Sequence, residues 1–246
     1  MKPVLIIRTG SAPASIRARH GDFPHWFRVG SAVPHTRIRV IDVQAGEALP
    51  AARDVAGALI TGSAAMVTER LPWSERTAGW IRDAMDAELP LFGVCYGHQL
   101  MAQALGGRVD YLPGGREIGT HTIDLLPAAR GDPLTGSLPS TFRAHTTHEQ
   151  GVLEPPLGAA VLARSARDPH HLLRYGRHAV SVQFHPEFNA EVMRAYIHHK
   201  RAALDAEGGD VERLYREVAA TPVARRLLRA FARRHGFVDP TRTTAV

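Results

Sequence analysis

The sequence predicts an α/β fold: a mostly parallel, open sheet with helices on both faces over residues 1–200, followed by a helical appendage over 201–246. Three observations carry this expectation. Short apolar runs of strand length alternate with segments of helical period, the order that builds parallel sheets from crossover units. Several of those runs are apolar at nearly every position, as strands buried on both faces are. Finally, 246 residues with 44% apolar side chains are enough for one large domain and a smaller unit.

Taken in order, Val4-Leu5-Ile6-Ile7 reads as the first strand. It follows directly on Met1-Lys2-Pro3, which argues for a strand there rather than a signal peptide. The stretch from Arg17 to Val29, containing Asp22-Phe23-Pro24-His25-Trp26-Phe27, reads as a long loop. It either covers a pocket mouth or is simply anchored by its aromatics. Ile38 to Asp42 reads as a second strand and Ala58 to Thr61 as a third. Trp73 to Glu88 has the period of an amphipathic helix, with Trp80, Ile81 and Met85 on one side. Leu91 to Val94 is the next strand, and Leu100, Met101, Ala104 and Leu105 then recur with helical spacing until Gly106-Gly107. Shorter strands are expected around Thr120–Leu125, Ala160–Ala163, Leu172–Tyr175 and Ala179–Phe184. Beyond Phe188 the pattern turns helical: Ala190 to Ala206 as one helix, a break at Gly208-Gly209, then Val211–Ala219 and Val223–His235.

Cys95 is the only cysteine, and it falls where the fourth strand should turn sharply into its helix. A lone cysteine is commonly a small buried apolar residue. Two features favour a reactive one. Gly93 and Gly97 flank it at the spacing that lets a strained strand-to-helix turn expose its central side chain. Backbone N–H groups at a helix start also favour a thiolate. Far downstream, the strand Val180–Phe184 runs into His185-Pro186-Glu187. Residues two apart in an extended chain point the same way, so Glu187 can hold the His185 ring. Thiol, imidazole and orienting carboxylate are the parts of an activated nucleophile. Ser63, Cys95 and His185 all fall at the carboxyl ends of predicted strands, where open parallel sheets gather ligands.

Cys95-Tyr96-Gly97-His98-Gln99 together with Phe184-His185-Pro186-Glu187 resembles the class I, triad-type glutamine amidotransferase domain, in its stand-alone form similar to the glutaminase half of GMP synthase. The likeness runs from about Val4 to about Phe188. It implies a flavodoxin-like sheet and hydrolysis of a γ-glutamyl amide, with Cys95 as the thioester-forming nucleophile, His185 as base and Glu187 as its orienting carboxylate. It also implies an oxyanion hole from the Tyr96 N–H and from Thr61-Gly62-Ser63, with the Ser63 N–H as the better donor and Gly62 permitting the turn. Gly62 alone also reads as an ordinary strand-end glycine. Gln99 matches a position that holds the substrate's amino-acid end, although a glutamine in a first helical turn can equally be solvated or capping. Arg116-Glu117-Ile118-Gly119 resembles an element beside the glutamine pocket, and reads equally as a charged hairpin bend. The family's Ser-His-Gly-Asp run corresponds here to a loop at Thr147-His148-Glu149-Gln150-Gly151-Val152, which lacks the glycine and aspartate at their places. Thr147, His148 and Glu149 are therefore expected at the substrate, with its identity open.

Composition excludes several alternatives. One cysteine forbids an intramolecular disulfide framework and suits a reducing cytoplasm. No apolar run approaches the roughly 20 residues that span a bilayer, so no membrane association is expected. The net charge of +6 rests almost wholly on arginine, since Lys2 and Lys200 are the only lysines. The densest cluster, Arg225, Arg226, Arg229, Arg233 and Arg234, is interrupted by Leu227, Leu228, Ala230 and Phe231 at helical spacing. That predicts a solvated or dimer-facing helix rather than a nucleic-acid site. The 14 histidines include His145 and His148, and the adjacent pairs His170-His171 and His198-His199. Adjacent side chains diverge and no thiolate pair accompanies them, so no metal and no cofactor are expected. The expected ligand is glutamine or another γ-glutamyl small molecule. Three readings stand: an amidotransferase that passes ammonia to a separate synthase chain, a γ-glutamyl peptidase acting alone, and a non-catalytic regulator with the same fold. The sequence carries no phosphate loop or synthase module of its own.

Overall fold

The computed structural model describes residues 1–238. Its elements are, in chain order, β1 (Val4–Arg8), α1 (Ala14–His20), α2 (Phe23–Ser31), β2 (Ile38–Asp42), β3 (Gly57–Ile60), α3 (Pro72–Asp86), β4 (Leu91–Val94) and α4 (Tyr96–Ala104). Next come β5 (Arg108–Tyr111), β6 (Glu117–Leu125), β7 (Thr141–His148), β8 (Gln150–Glu154), β9 (Ala160–Arg164), β10 (Leu172–Arg174) and β11 (Ala179–Val182). The chain ends in α5 (Ala190–His199), α6 (Arg201–Ala206), α7 (Val211–Arg216) and α8 (Pro222–Arg234).

The main sheet has the order β2-β1-β3-β4-β11-β10-β9-β6-β7. The first five strands are parallel, and the last four join through antiparallel pairs. A small antiparallel pair, β5 with β8, stands beside it. Alternation within the apolar strands explains why helices cover both faces. Leu5, Ile7, Ala58, Ile60 and Leu91 pack with Ile81, Leu100 and Met101 of α3 and α4. Val4, Ile6, Leu59, Phe92 and Val94 pack on the other face with Ile16, Phe27, Val192 and Phe231. The C-terminal arginine-rich segment belongs to this second layer: Leu227, Leu228 and Phe231 of α8 are buried, and Phe231 meets Phe92 with ring centroids 5.1 Å apart. Each such side chain contributes about 1.5–3 kcal/mol, so α8 fastens to the sheet through its apolar side. Of the expected appendage, residues 239–246 lie outside the described residues.

Four sequence expectations need correction. The segment Arg17–Val29 is not a loop but most of two helices. Asp22 caps α2 by accepting from the Phe23 N–H and ties back to the Ala12 N–H, with Pro24 in the first turn. Thr147–Val152 is not a loop either: β7 ends at His148, Glu149 alone makes the corner, and β8 begins at Gln150. Of the two readings of Arg116–Gly119 the charged hairpin bend is not found, since β6 begins at Glu117 directly after Arg116. The helix expected over 190–206 is interrupted at Lys200, whose ψ of 3° leaves the helical region.

Candidate active site

β4 delivers Cys95 to a turn that only close packing can hold. Cys95 has φ 52° and ψ −103°, a conformation that costs a β-carbon residue about 1–3 kcal/mol. Its N–H donates to the Val182 carbonyl at 2.9 Å and its carbonyl accepts from the Gln99 N–H at 3.0 Å, so β11 and α4 fix it from both sides. The two flanking glycines are required by contact. A Cβ on Gly93 would stand 2.6 Å from the Gly97 carbonyl oxygen, and one on Gly97 would stand 2.6 Å from that of Ile60. The consequence is a sulfur at the edge of a cavity of about 120 Å³, lined among others by Ser63, Tyr96, Gln99 and His185.

His185 enters from β11's end, its N–H held by the His145 carbonyl at 2.8 Å. Its Nδ1 and Glu187 Oε1 are 2.8 Å apart, and both residues are buried. Phe188 stacks on the imidazole at 4.1 Å between centroids, with Phe23 parallel to it further out. Nδ1–H donation to the carboxylate leaves Nε2 as the free nitrogen, and among the described residues that atom has no hydrogen-bond partner. Burial works against charge on this ring, but ionised Glu187 and then the Cys95 sulfur overcome it and push its pKa up to about 10. The neighbouring His145 goes the other way: burial, and then His185 itself, pull it down to about 3. It is therefore neutral beside the imidazolium. A proton can leave sulfur and rest on His185 in this arrangement.

Ser63 and Tyr96 line the same cavity, and Gly62 leads into Ser63. The end of β3 is tied to β1 through Thr9, whose N–H and hydroxyl bond Thr61. The start of α4 is tied to the same place by the Gly97 N–H on the Thr61 carbonyl at 3.1 Å. Among the described residues neither the Ser63 N–H nor the Tyr96 N–H is taken up by a backbone carbonyl outside helices and strands. Gly62 lies against the imidazole: a Cβ there would be 3.2 Å from His185 Cε1. Gly10, which sequence reading passed over, has the same need, since a Cβ would stand 2.8 Å from Ser63 Cα.

The remaining wall comes from the antiparallel strands. Gln99 lines the cavity, but its amide donates to the Gln150 carbonyl at 2.6 Å and to Gln183 Oε1 at 3.0 Å. Only its carbonyl oxygen is left for a ligand. Thr147 presents its own carbonyl 4.0 Å from Cys95 Sγ. Glu149 pairs with Arg116 at 2.5 Å and lies 3.7 Å from Lys200 Nζ, giving the cavity a wall with both signs of charge. His148 borders the cavity, yet its ring nitrogen Nε2 is directed to Asp168 at 3.3 Å and Glu117 at 3.6 Å. His171 joins them through Glu117 at 2.8 Å. Burial opposes ionisation of Glu117, but His171, then His148 and Ser165, hold its carboxyl down to about 2. The other histidine pairs do not gather: His145 Nδ1 faces the Thr120 hydroxyl and His170 Nδ1 the Val152 carbonyl.

Phe23, from the segment read as either covering a pocket mouth or anchored by its aromatics, lines the cavity; sequence reading missed Phe188 and Lys200 at the site. Phe188 directly follows the His-Pro-Glu run, which was a signal; Lys200 had none.

A family model described as glutamine amidotransferase class-I matches residues 32–202. The chain is 35% identical over 142 residues to a GMP synthase (glutamine-hydrolyzing) of Aeropyrum pernix, covering 58% of this chain and 25% of that protein. It is 28% identical over 123 residues to γ-glutamyl peptidase 5 of Arabidopsis thaliana, covering 49% of each. The chain thus spans about a quarter and about half of these curated relatives. A crystal structure of a glutamine amidotransferase from Thermotoga maritima superposes with a TM-score of 0.75 at 23% identity, covering 95% of this chain and 97% of the other, a likeness of fold. Among the described residues no helix is long and apolar enough to cross a membrane.

Proposed function

The chain belongs to the glutamine amidotransferase class-I family, and from that premise we propose that it hydrolyses a γ-glutamyl amide through a thioester on Cys95. The observation that carries this reading is the free Nε2 of buried His185, with Nδ1 committed to Glu187, on the same cavity as the strained Cys95 and two untaken N–H groups.

Sulfur, its proton already resting on His185 Nε2, attacks the γ-carbonyl carbon as the thiolate. The carbonyl oxygen becomes an oxyanion between the Ser63 and Tyr96 N–H groups, each of which contributes about 3 kcal/mol to such a transition state. As the C–N bond breaks, His185 returns the proton to the departing nitrogen, and ammonia or an amine leaves. His185 then takes a proton from water, whose oxygen attacks the thioester. Collapse of that adduct expels the thiolate beside the protonated His185 and leaves a free γ-carboxylic acid. Glu187 holds the ring's tautomer throughout and lowers the energy of the imidazolium.

The substrate's amino-acid end suits the far wall. Its carboxylate complements Arg116 and Lys200, and its ammonium complements Glu149 and the carbonyl oxygen of Gln99. With glutamine as substrate the ammonia would pass to a synthase on a separate chain. The relative of the γ-glutamyl peptidase type favours a second reading, in which the amine released is that of a conjugate. Release of ammonia from glutamine, measured beside release of amine from a panel of γ-glutamyl amides, divides the two. Turnover of conjugates with none of glutamine selects the peptidase reading; turnover of neither overturns the hydrolase.

A further inference from the structure

Behind the wall that carries Thr147 lies a second group of chemistry-bearing side chains, which the hydrolysis above does not use. Glu117 and His148 are direct partners across β6 and β7, so their side chains rise on the same face. His171, one residue before β10, completes the group: one donor atom from each of Glu117, His148 and His171 lies within 4.8 Å of the other two, and all three residues are buried. We propose that these three residues form a binding site for a divalent transition-metal ion of the zinc class.

Spacing supports the assignment. Two donors each about 2.1 Å from a tetrahedral ion stand about 3.4 Å apart. His148 Nε2 and Glu117 Oε2 are 3.6 Å apart. His171 Nε2 and Glu117 Oε2, at 2.8 Å, are separated by a proton that an ion would replace, the ring shifting its hydrogen to Nδ1. Orientation supports it as well. The second oxygen of Glu117 is held by the Ser165 hydroxyl at 2.6 Å, leaving Oε2 aimed at the two imidazoles. This is the kind of outer contact that fixes a ligating carboxylate. Asp168 borders the group in the same way: the His170 N–H holds its Oδ1 at 2.8 Å, and Oδ2, 3.3 Å from His148 Nε2, has no hydrogen-bond partner among the described residues. His148 Nε2 likewise has none.

Charge gives the reason for an ion. Two carboxylates and two imidazoles are enclosed together here, and burying carboxylates is costly without a counter-charge. Among the described residues no arginine or lysine pairs with Glu117 or Asp168; only these histidines do. Two imidazoles with one carboxylate suit zinc, cobalt or nickel better than magnesium or calcium, which prefer all-oxygen cages. Sequence spacing held no pointer, because the three ligands come from three separate strand ends.

The test is a cobalt(II) titration of the full chain, followed by visible absorption and by displacement with zinc. The expected result is one equivalent bound, with d–d absorption of a four-coordinate centre and no sulfur-to-cobalt charge transfer. His171→Gln and Glu117→Gln should weaken binding by about tenfold or more, with circular dichroism and the melting temperature reporting that each is folded. His170→Gln, which replaces the neighbouring ring outside the group, should bind as the parent does. Absence of stoichiometric binding by the parent would overturn the proposal. So would undiminished binding by folded His171→Gln, or a charge-transfer band lost in Cys95→Ala, which would put the ion at the triad instead.

Discussion

In the parallel half of the sheet, β3, β4 and β11 end within reach of one another and present Ser63, Cys95 and His185 at a single rim. In the antiparallel half, β6 and β7, with β8 of the small pair beside them, meet the same cavity sideways, through the Glu149 corner and its partner Arg116. The first half gives atoms fixed by crowded backbone: glycines at 93 and 97 that admit no Cβ, and a cysteine held at positive φ. The second gives the charges of Arg116 and of Glu149, which stays partly exposed at 27%, and Lys200, at 34%, joins them from the junction of α5 and α6. Reaction chemistry needs placement within fractions of an ångström, and strand ends locked by hydrogen bonds supply it. Recognition of a small zwitterion tolerates longer, more mobile arms. The same cavity therefore divides into a rigid rim and an adjustable wall.

The largest effects should come from the rim. His185→Ala should lower kcat by about ten-thousand-fold or more, and Glu187→Gln by roughly ten to a hundred times less than that. Single-turnover kinetics would check this, and a Glu187 variant slower than the His185 variant would reverse the roles given to the pair.

A smaller effect belongs to the wall. Arg116→Ala should raise KM for a γ-glutamyl substrate about tenfold, the loss of one charge-assisted contact of about 1.4 kcal/mol, with kcat nearly unchanged. A fall in kcat at constant KM would move Arg116 from the wall to the rim.

The smallest signal is in stability against pH. His185 is raised from 6.5 to about 10 by Glu187 and then Cys95, against its burial. Protons bind the folded chain more tightly there, so its contribution to stability is whole below about pH 6.5 and is lost as pH rises through 10. Melting temperatures across that window should fall with pH in the parent, and less steeply in Glu187→Gln. Superimposable profiles would contradict the ion pair.

The same division governs how much could be read before the fold was known. The central parallel strands carry almost no polar residue, so Val4–Ile7, Ala58–Ile60 and Leu91–Val94 stand out, and with them the turn at Cys95. His185 and Glu187 were legible from their two-residue separation, although in the fold β11 ends at Val182 and Pro186-Glu187 is a turn that brings the carboxylate to the ring. The antiparallel wall was not. β7 alternates polar and apolar residues only over Thr141–Ala144 and then carries His145, Thr146, Thr147 and His148, which resemble a loop until the neighbouring strands are in place. The helices over Ala14–Ser31 were hidden by Gly21 and Pro24, although Asp22 before Phe23-Pro24 is a start signal. The gathering of Glu117, His148 and His171 depends on the β6–β7 register and on where β10 begins, neither of which is written locally in the chain.

The central claim is a covalent one and can be observed directly. Rapid acid quench of the enzyme during turnover of glutamine or a γ-glutamyl amide, followed by peptide mass spectrometry, should find one γ-glutamyl group on Cys95 and none on Cys95→Ala. Ammonia or amine release by Cys95→Ala, or turnover by the parent with no acyl group on that sulfur at any quench time, would contradict it.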